Sequence, residues 1–443
     1  MKPSDAALLT DLYELTMAAG YFANGMDEET TFDLFVRHLP ENRNFLIACG
    51  LEGALDYLDG LRFDADAIDY LRSLEMFEDD FLAFLATLRF TGDVWAIPEG
   101  DAVFPSEPLL RVSGPLIEAQ IVETYLLNTI LTETMIASKA ARVALACRDR
   151  QFVDFSLRRD HGADAGLKAA RASFIGGAVG TSNVLAGKLF GLPVSGTMAH
   201  SYVMAFGDEV EAFRSFARTF PDRAVLLIDT FDVEEGARRA VQVARELEPE
   251  GVRIRGVRID SGDLAHLARS VRKILDDAGM RATQIVLSGD LDEYRIEELI
   301  DDDTPVDSFG VGTQLGTSGD APSLGGVYKL VEHAGKPSVK LSAGKATVPG
   351  RKQVYRFEAA GVYERDVIAL DDEEDRHAAR PLLEPMMSSG ERMARPRSLV
   401  ELQEKCRRTL TALPRELRSL RTSPRPYEVS FSDPLKALHG RVR

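Results

Sequence analysis

Three short segments carry residue types able to hold, and in one case attack, a small anionic or aromatic molecule. The first, DFSLRRDHG (154–162), is an apolar, β-like run that breaks into Arg158 and Arg159. Arginine's planar fork of donors suits phosphate or carboxylate better than a lysine does, although paired arginines at a strand end are also at home on a solvated surface. The second, SFIGGAVGTSNVLAG (173–187), is rich in glycines that let the backbone approach a ligand closely. It has no GK[ST] and so is not a Walker A loop. The third, GTMAHSY (196–202), sets His200 and Ser201 in a tight polar loop. A neutral imidazole is a competent nucleophile near neutral pH; the plainer reading is a histidine hydrogen-bonded within its loop.

The middle of the chain supplies elements to position such groups. Four β-rich runs, AVLLIDTFD (224–232), IRGVRIDSGD (254–263), QIVLSGD (284–290) and PVDSFGVGT (305–313), end in polar or glycine-rich loops. Helical sequence follows each of the first three. Their spacing of roughly 20–30 residues is that of a βα unit in a parallel barrel or doubly wound sheet. Asp229, Asp260 and Asp290 stand near the C-terminal ends of successive strands, the end that carries chemistry in such folds. An aspartate after a strand also serves as a helix N-cap, so both readings stand for each.

The flanks read as scaffold. FDLFVRHLP (32–40) predicts a strand and turn, Gly53–Leu61 part of a helix, and 93–114 short strands broken by prolines. Pro115 opens a long helical stretch with acids early (Glu118, Glu123) and cations late (Lys139, Arg142, Arg148), as the helix dipole favours. DDEEDRHAAR (371–380) reads as a solvated charge run. Ser398 and Glu401 have capping-box spacing at the start of a helix expected to run to about Leu420, interrupted by Pro414.

Composition sets the limits. With 443 residues, 45% hydrophobic and 28% charged, the chain has room for two packed α/β parts and a C-terminal extension. A net charge of −17 argues against a nucleic-acid partner. No apolar run approaches the roughly 20 residues of a membrane helix, and Asp5 and Asp11 interrupt any secretory signal. Cys49, Cys147 and Cys406 are far apart, with no CxxC, against a disulfide framework or a structural zinc site. A cytoplasmic protein is expected.

Taken together, TDLYELTM (10–17), FVRHLPENRNFLIACGLE (35–52), FSLRRDHG, GTSNVLAGKLFGLPVSGTMAHS, GVRIDSGDL and FGVGTQLGTSGDAPSLGGVYKL resemble the nicotinate phosphoribosyltransferase family, in this order and over nearly the whole chain. The resemblance implies an α/β fold: an irregular, funnel-like TIM-type barrel at 116–345, an N-terminal α/β domain at 1–115 completed by later segments, and a C-terminal helical extension at 346–443 packing back on that domain. It implies a homodimer with active sites at the subunit interface, and synthesis of nicotinate mononucleotide and pyrophosphate from nicotinate and 5-phosphoribosyl-1-pyrophosphate, driven by ATP with Mg²⁺.

Carried over residue by residue, Phe155 resembles the aromatic that stacks on the pyridine ring, and Tyr13 the tyrosine covering its other face from the partner subunit. Arg158 is similar to an arginine on the pyrophosphate side of the sugar donor. Arg258 and Asp260 match the family's RxDSGD, with Asp260 placed for the ribose hydroxyls. Gly289 and Asp290 resemble the pair near the ribose phosphate, and Gly310 and Gly312 the loop holding the 5′-phosphate. His200 matches the histidine that ATP phosphorylates, with Ser201 beside it among the substrate-binding positions. The related nicotinamide enzyme has an aspartate where this chain has Ser182; an acid there would repel a substrate carboxylate, which favours nicotinate. Asn44 stands where the resemblance leads one to expect glycine. The alternatives are a nicotinamide phosphoribosyltransferase, disfavoured by Ser182; a quinolinate enzyme, whose family is shorter and lacks the His200 motif; a non-catalytic nucleotide sensor, disfavoured by the presence of His200, Asp260 and Arg158; and a Schiff-base barrel, for which Lys329 and Lys340 are the rough candidates.

Overall fold

The computed structural model describes residues 3–340, 347–373, 379–393 and 395–442. Internal contacts gather the chain into two units, Met1–Ser138 with Ser323–Arg443, and Lys139–Pro322. The division falls within the helix Glu123–Cys147. This helix is separated from Leu116–Ile121 by a break at Val122, so the stretch opened by Pro115 is two helices. No helix among the described residues is long and apolar enough to cross a membrane.

The first unit is built on a seven-stranded antiparallel sheet in the order Lys336–Pro337, Gly326–His333, Glu29–Val36, Pro108–Pro115, Asp93–Ala96, Glu384–Ser388, Glu391–Arg392. Glu29–Val36 and Pro108–Pro115 are buried along nearly their whole length, so polar groups there must be paired. Asp33 accepts from Lys352 Nζ at 2.7 Å, and the Thr31 and Ser113 hydroxyls meet at 2.9 Å.

The C-terminal segment departs from the helical extension read in the sequence. Strands Ala379–Pro381, Lys352–Ala359, Val362–Leu370 and Glu428–Phe431 form a second sheet in that order. Its central hairpin turns through Ala360 and Gly361, both at positive φ, which suits the twist of a tight hairpin. Helices Leu399–Ala412 and Asp433–Val442 come only afterwards. The Ser398–Glu401 capping box is present, but the helix stops at Ala412 because Pro414 cannot continue it; a 3₁₀ turn, Arg415–Arg418, follows. The charge run at 371–380 is not simply solvated: Asp371 accepts from Arg111 at 2.8 Å and Arg380 pairs with Asp101 at 3.2 Å, while 374–378 lie outside the described residues. Asn44 has a structural account. Its buried amide donates to the carbonyls of Leu417, Ser419 and Arg421 and accepts from the Ser423 amide, stitching the 417–423 loop in a way glycine cannot.

The second unit holds a five-stranded parallel sheet. Its strands are β1 (Gln151–Asp154), β2 (Val225–Leu227), β3 (Gly256–Ile259), β4 (Gln284–Leu287) and β5 (Ser308–Val311), ordered β1-β5-β4-β3-β2. Single parallel bridges, Asp154 to Thr181 and Thr181 to Val194, carry the pairing beyond β1. Helices α1 (Val233–Leu247), α2 (Leu264–Asp277) and α3 (Glu293–Asp301) follow β2, β3 and β4. Each shows a helical stripe of buried apolar residues, such as Leu264, Ala268, Val271 and Leu275 on α2. The fold is thus mixed α/β with a parallel sheet, as the βα spacing predicts.

Candidate active site

Parallel register brings the C-terminal ends of all five strands to one side. Gly310 pairs with Val153 and Val311 with Asp154, Ile259 with Leu287, and Leu227 with Arg258. A cavity of about 640 Å³ opens there, lined by Phe155, Arg158, Arg159, Ser182, residues 196–200, Arg258, Asp260, Ser288, Gly289, Asp290, Gly310, Gly312 and Thr313.

The three rim aspartates are not helix caps. Asp232, Asp263 and Asp292 cap α1, α2 and α3, accepting from the amides of Glu235, His266 and Arg295. Asp229, Asp260 and Asp290 are thereby free for other work. Asp229 Oδ2 accepts from the Asp260 amide (3.0 Å) and the Ser261 hydroxyl (2.7 Å). Its buried Oδ1 makes no hydrogen bond and lies 4.0 Å from His200 Nε2. His200 Nδ1 is 3.2 Å from the Thr230 hydroxyl, and its ring is 40% exposed. The imidazole is therefore oriented from one side and open on the other. Asp290 is exposed at φ 46°, in the left-handed region where aspartate is tolerated.

Arg258 ties strand to loop. It donates through Nη1 to Asp260 Oδ1 (3.0 Å) and through Nη2 to the Met198 carbonyl (2.7 Å), two residues before His200. Burial pulls its guanidinium below the usual range and Arg158 adds to the drop, while Asp260 and Asp229 oppose it. Arg158 and Arg159 are exposed in the 3₁₀ turn Leu157–Arg159. That turn packs against Gly316, where a Cβ would stand 1.9 Å from Asp160 Oδ1. Burial holds the Asp160 carboxyl up at about 6, with Asp154 adding and the Ser156 hydroxyl opposing. Asp154 joins β1 to the next segment: its oxygens accept from the Ser156 amide (2.9 Å) and the Thr181 hydroxyl (2.7 Å), and its carbonyl accepts from the Ser182 amide (2.8 Å).

Two glycines are dictated by contact. A Cβ on Gly310 would meet the Phe155 ring at 2.5 Å, so the absence of a side chain is what seats the ring against β5. Gly289, at φ 92°, would place a Cβ 1.8 Å from the Asp260 carbonyl oxygen.

The chain matches the nicotinate phosphoribosyltransferase N-terminal domain over residues 8–131, the nicotinate phosphoribosyltransferase family over 150–351, and the corresponding C-terminal domain over 375–439. It is 45% identical over 440 residues to nicotinate phosphoribosyltransferase pncB2 of Mycobacterium tuberculosis, covering 99% of this chain and 94% of that protein. The chain belongs to the nicotinate phosphoribosyltransferase family. The nicotinate phosphoribosyltransferase of Bacillus subtilis is 43% identical over 383 residues, covering 84% of this chain and 78% of that protein. The crystal structure of human nicotinic acid phosphoribosyltransferase superposes with a TM-score of 0.88 at 31% identity, covering 98% of this chain and 100% of that one.

For this family member, the residues named from sequence separate into two groups. Phe155, Arg158, Ser182, His200, Arg258, Asp260, Gly289, Asp290, Gly310 and Gly312 line one cavity. Ser201 is exposed beside His200 but is not among the lining residues. Tyr13 belongs to the first unit, half-exposed on the helix Leu12–Ala23, where it lines a separate cavity of about 390 Å³ with Gln120, Glu123, Tyr328 and Lys329. Burial raises its phenol above the ordinary range, with Glu123 and Glu14 adding. Sequence reasoning weighed Arg159 only as half of an arginine pair and passed over Thr197 and Ser288 as site residues. The doubled arginine and the polar residue directly before Gly289 were the available signals.

Proposed function

We propose that this enzyme joins nicotinate to 5-phosphoribosyl-1-pyrophosphate, releasing nicotinate mononucleotide and pyrophosphate, and that ATP hydrolysis through a phosphorylated His200 drives the reaction. The observation that carries this reading is the cavity in which the Phe155 ring, three arginines, the Asp260 carboxylate and an open histidine share the lining. The pyridine nitrogen attacks C1 of the ribose, the bond from C1 to the pyrophosphate oxygen breaks, and pyrophosphate leaves with the electron pair. Arg158 and Arg159 suit the leaving charge. Asp260 accepts from ribose hydroxyls and holds C1 in line. Phe155 offers the pyridine ring a flat apolar seat. Gly289 and Asp290, with the Gly310 and Gly312 backbone, suit the 5′-phosphate end. Ser182, a neutral donor, accepts a carboxylate neighbour that an acid would repel.

ATP transfers its γ-phosphoryl to an imidazole nitrogen of His200, releasing ADP, and water later removes it. The free and phosphorylated enzymes then differ in substrate affinity, which couples the two reactions. Asp229 Oδ1, buried and unpartnered 4.0 Å from Nε2, suits the imidazolium that develops when that ring carries a proton. Mg²⁺ fits as a substrate-borne ion. Among the described residues the grouped metal-ligand side chains, Cys49, Glu99 and Glu133, are buried in the first unit, whereas Mg²⁺ is ordinarily held by one or two carboxylates plus substrate phosphates; Asp290, exposed in the cavity lining, would be such a carboxylate here, and the ion would neutralise phosphate charge. We further read the enzyme as a cytoplasmic homodimer in which Tyr13 reaches the partner's cavity, and its parallel sheet as part of an irregular barrel at 116–345 that works with 1–115 and 346–443.

The test is product formation from nicotinate and from nicotinamide, with and without ATP. Nicotinate is used far better, and ATP stimulates. His200→Ala abolishes ATP hydrolysis and the acid-labile phosphoenzyme label from γ-labelled ATP, yet retains slow ATP-independent synthesis. Equal labelling of the variant and the wild type places the coupling residue elsewhere.

A further inference from the structure

Ser288 follows β4 and is only 2% exposed, although it contributes to the cavity lining. Its hydroxyl donates to Asp260 Oδ1 at 2.5 Å and accepts from Arg258 Nη1 at 3.3 Å. Arg258 Nη1 also donates to Oδ1, at 3.0 Å. Three side chains from the ends of β3 and β4 thus close a triangle on one carboxylate oxygen. Among the described residues, every protein hydrogen bond to the Asp260 carboxylate falls on Oδ1, and that side chain is 33% exposed.

The arrangement has a competitor close at hand. Arg258 Nη2, the neighbouring arm of the same fork, donates to the Met198 carbonyl at 2.7 Å. A carboxylate beside a guanidinium is drawn to the two-bond fork that uses both of its oxygens. If Asp260 yielded, Oδ2 would turn to the arginine and be lost to the cavity. The Ser288 hydroxyl opposes this by anchoring Oδ1, and Ser288 is itself fixed: it is buried, and its amide donates to the Ile259 carbonyl at 3.0 Å.

We propose that Ser288 is a positioning residue for the phosphoribosyl donor, holding the Asp260 carboxylate so that Oδ2 stays available to a ribose hydroxyl. This rests on the reaction proposed above. It assigns to β4 a part in sugar recognition through a residue that does not itself touch the reacting carbon.

The test compares 5-phosphoribosyl-1-pyrophosphate with its 2-deoxy and 3-deoxy analogues in the wild type and in Ser288→Ala, at saturating nicotinate. The wild type prefers the hydroxylated donor. In the variant that preference, as a ratio of kcat/KM values for the affected hydroxyl, shrinks about tenfold, because the acceptor that reads the hydroxyl has turned away. The KM for nicotinate stays within about twofold. A merely structural role would weaken all donors alike and leave the ratio unchanged, and that result overturns the proposal. Absence of any product from nicotinate and the full donor in the wild type would instead overturn the reaction itself, so the two failures are distinguishable.

Discussion

In the first unit, Arg356 grips Asp366 through Nε at 3.0 Å and Nη2 at 2.6 Å, and both side chains are wholly buried. The Tyr427 hydroxyl donates to the same carboxylate at 2.9 Å, and the rings of Tyr363, Phe104 and Tyr427 surround the guanidinium at 4.5, 5.6 and 5.9 Å. Glu107, buried beside them, is held well above the usual carboxylate range by burial and by Asp366. In the second unit, Arg258 meets Asp260 at 3.0 Å by one nitrogen, with a third of the carboxylate exposed and Nε unpartnered. The same pair of residue types serves opposite ends. Where the fork is closed and roofed by aromatics, the charge locks two neighbouring strands of one sheet. Where it is held open, with Ser288 on Oδ1, an acceptor remains for a ligand.

The contrast breaks most visibly at Arg356. Arg356→Met leaves Asp366 without its cation and should cost about 3–5 kcal/mol of unfolding free energy, read as a lower urea midpoint, while the specific activity of the folded fraction is preserved. Asp260→Asn should do the reverse. It keeps the shape, moves unfolding free energy by less than about 1 kcal/mol, and lowers kcat/KM for the sugar donor by about 100-fold or more, since an amide accepts a ribose hydroxyl poorly at a centre of developing positive charge. If both variants lost stability and activity in parallel, the division between a locking and a reading arginine pair would fall.

What could be read beforehand follows the range of the interactions. Strand–helix alternation and the rim of Asp229, Asp260 and Asp290 were legible because βα units are local, and ten residues singled out by the resemblance share one cavity lining. The capping aspartates were equally present in the sequence, two or three residues later, where each apolar helical stripe begins. Long-range ionic partners were not legible. Lys139 and Arg142 look like ordinary cations late in a helix, yet Lys139 is buried against Glu293 (2.5 Å) and Asp320 (2.7 Å), and Arg142 donates to Glu293 at 2.9 Å. Nothing local joins residues more than 150 positions apart. The hairpin 352–370 was missed although QVYRFEAAGVYERDVIAL holds a β-branched alternation around a turn with Gly361 at positive φ.

Glu14 sharpens the comparison from within the first unit, where the buried Asp33 is matched by Lys352 and Asp101 by Lys405. Glu14 is fully enclosed; one oxygen is unpartnered and the other accepts from the Gln120 amide at 2.7 Å. Burial raises its carboxyl to about 7, with Glu123 and Asp11 adding and Gln120 and Tyr13 opposing. A carboxyl whose pKa is higher folded than unfolded contributes stability that is complete below the unfolded value near 4.5 and is lost as pH climbs through 7. The wild type should therefore weaken between pH 5 and pH 8 on account of this group. Glu14→Gln cannot titrate, and its stability relative to the wild type should rise over that interval by about 1 kcal/mol once solvent screening is allowed for. Urea midpoints of both proteins at pH 5, 6, 7 and 8 measure the difference directly. Parallel curves would mean that Glu14 is ionised throughout and has found compensation for its charge, placing it with Asp33 and Asp101; a gap that opens towards pH 7 places it with Glu107, as an acid kept neutral by its surroundings rather than paired.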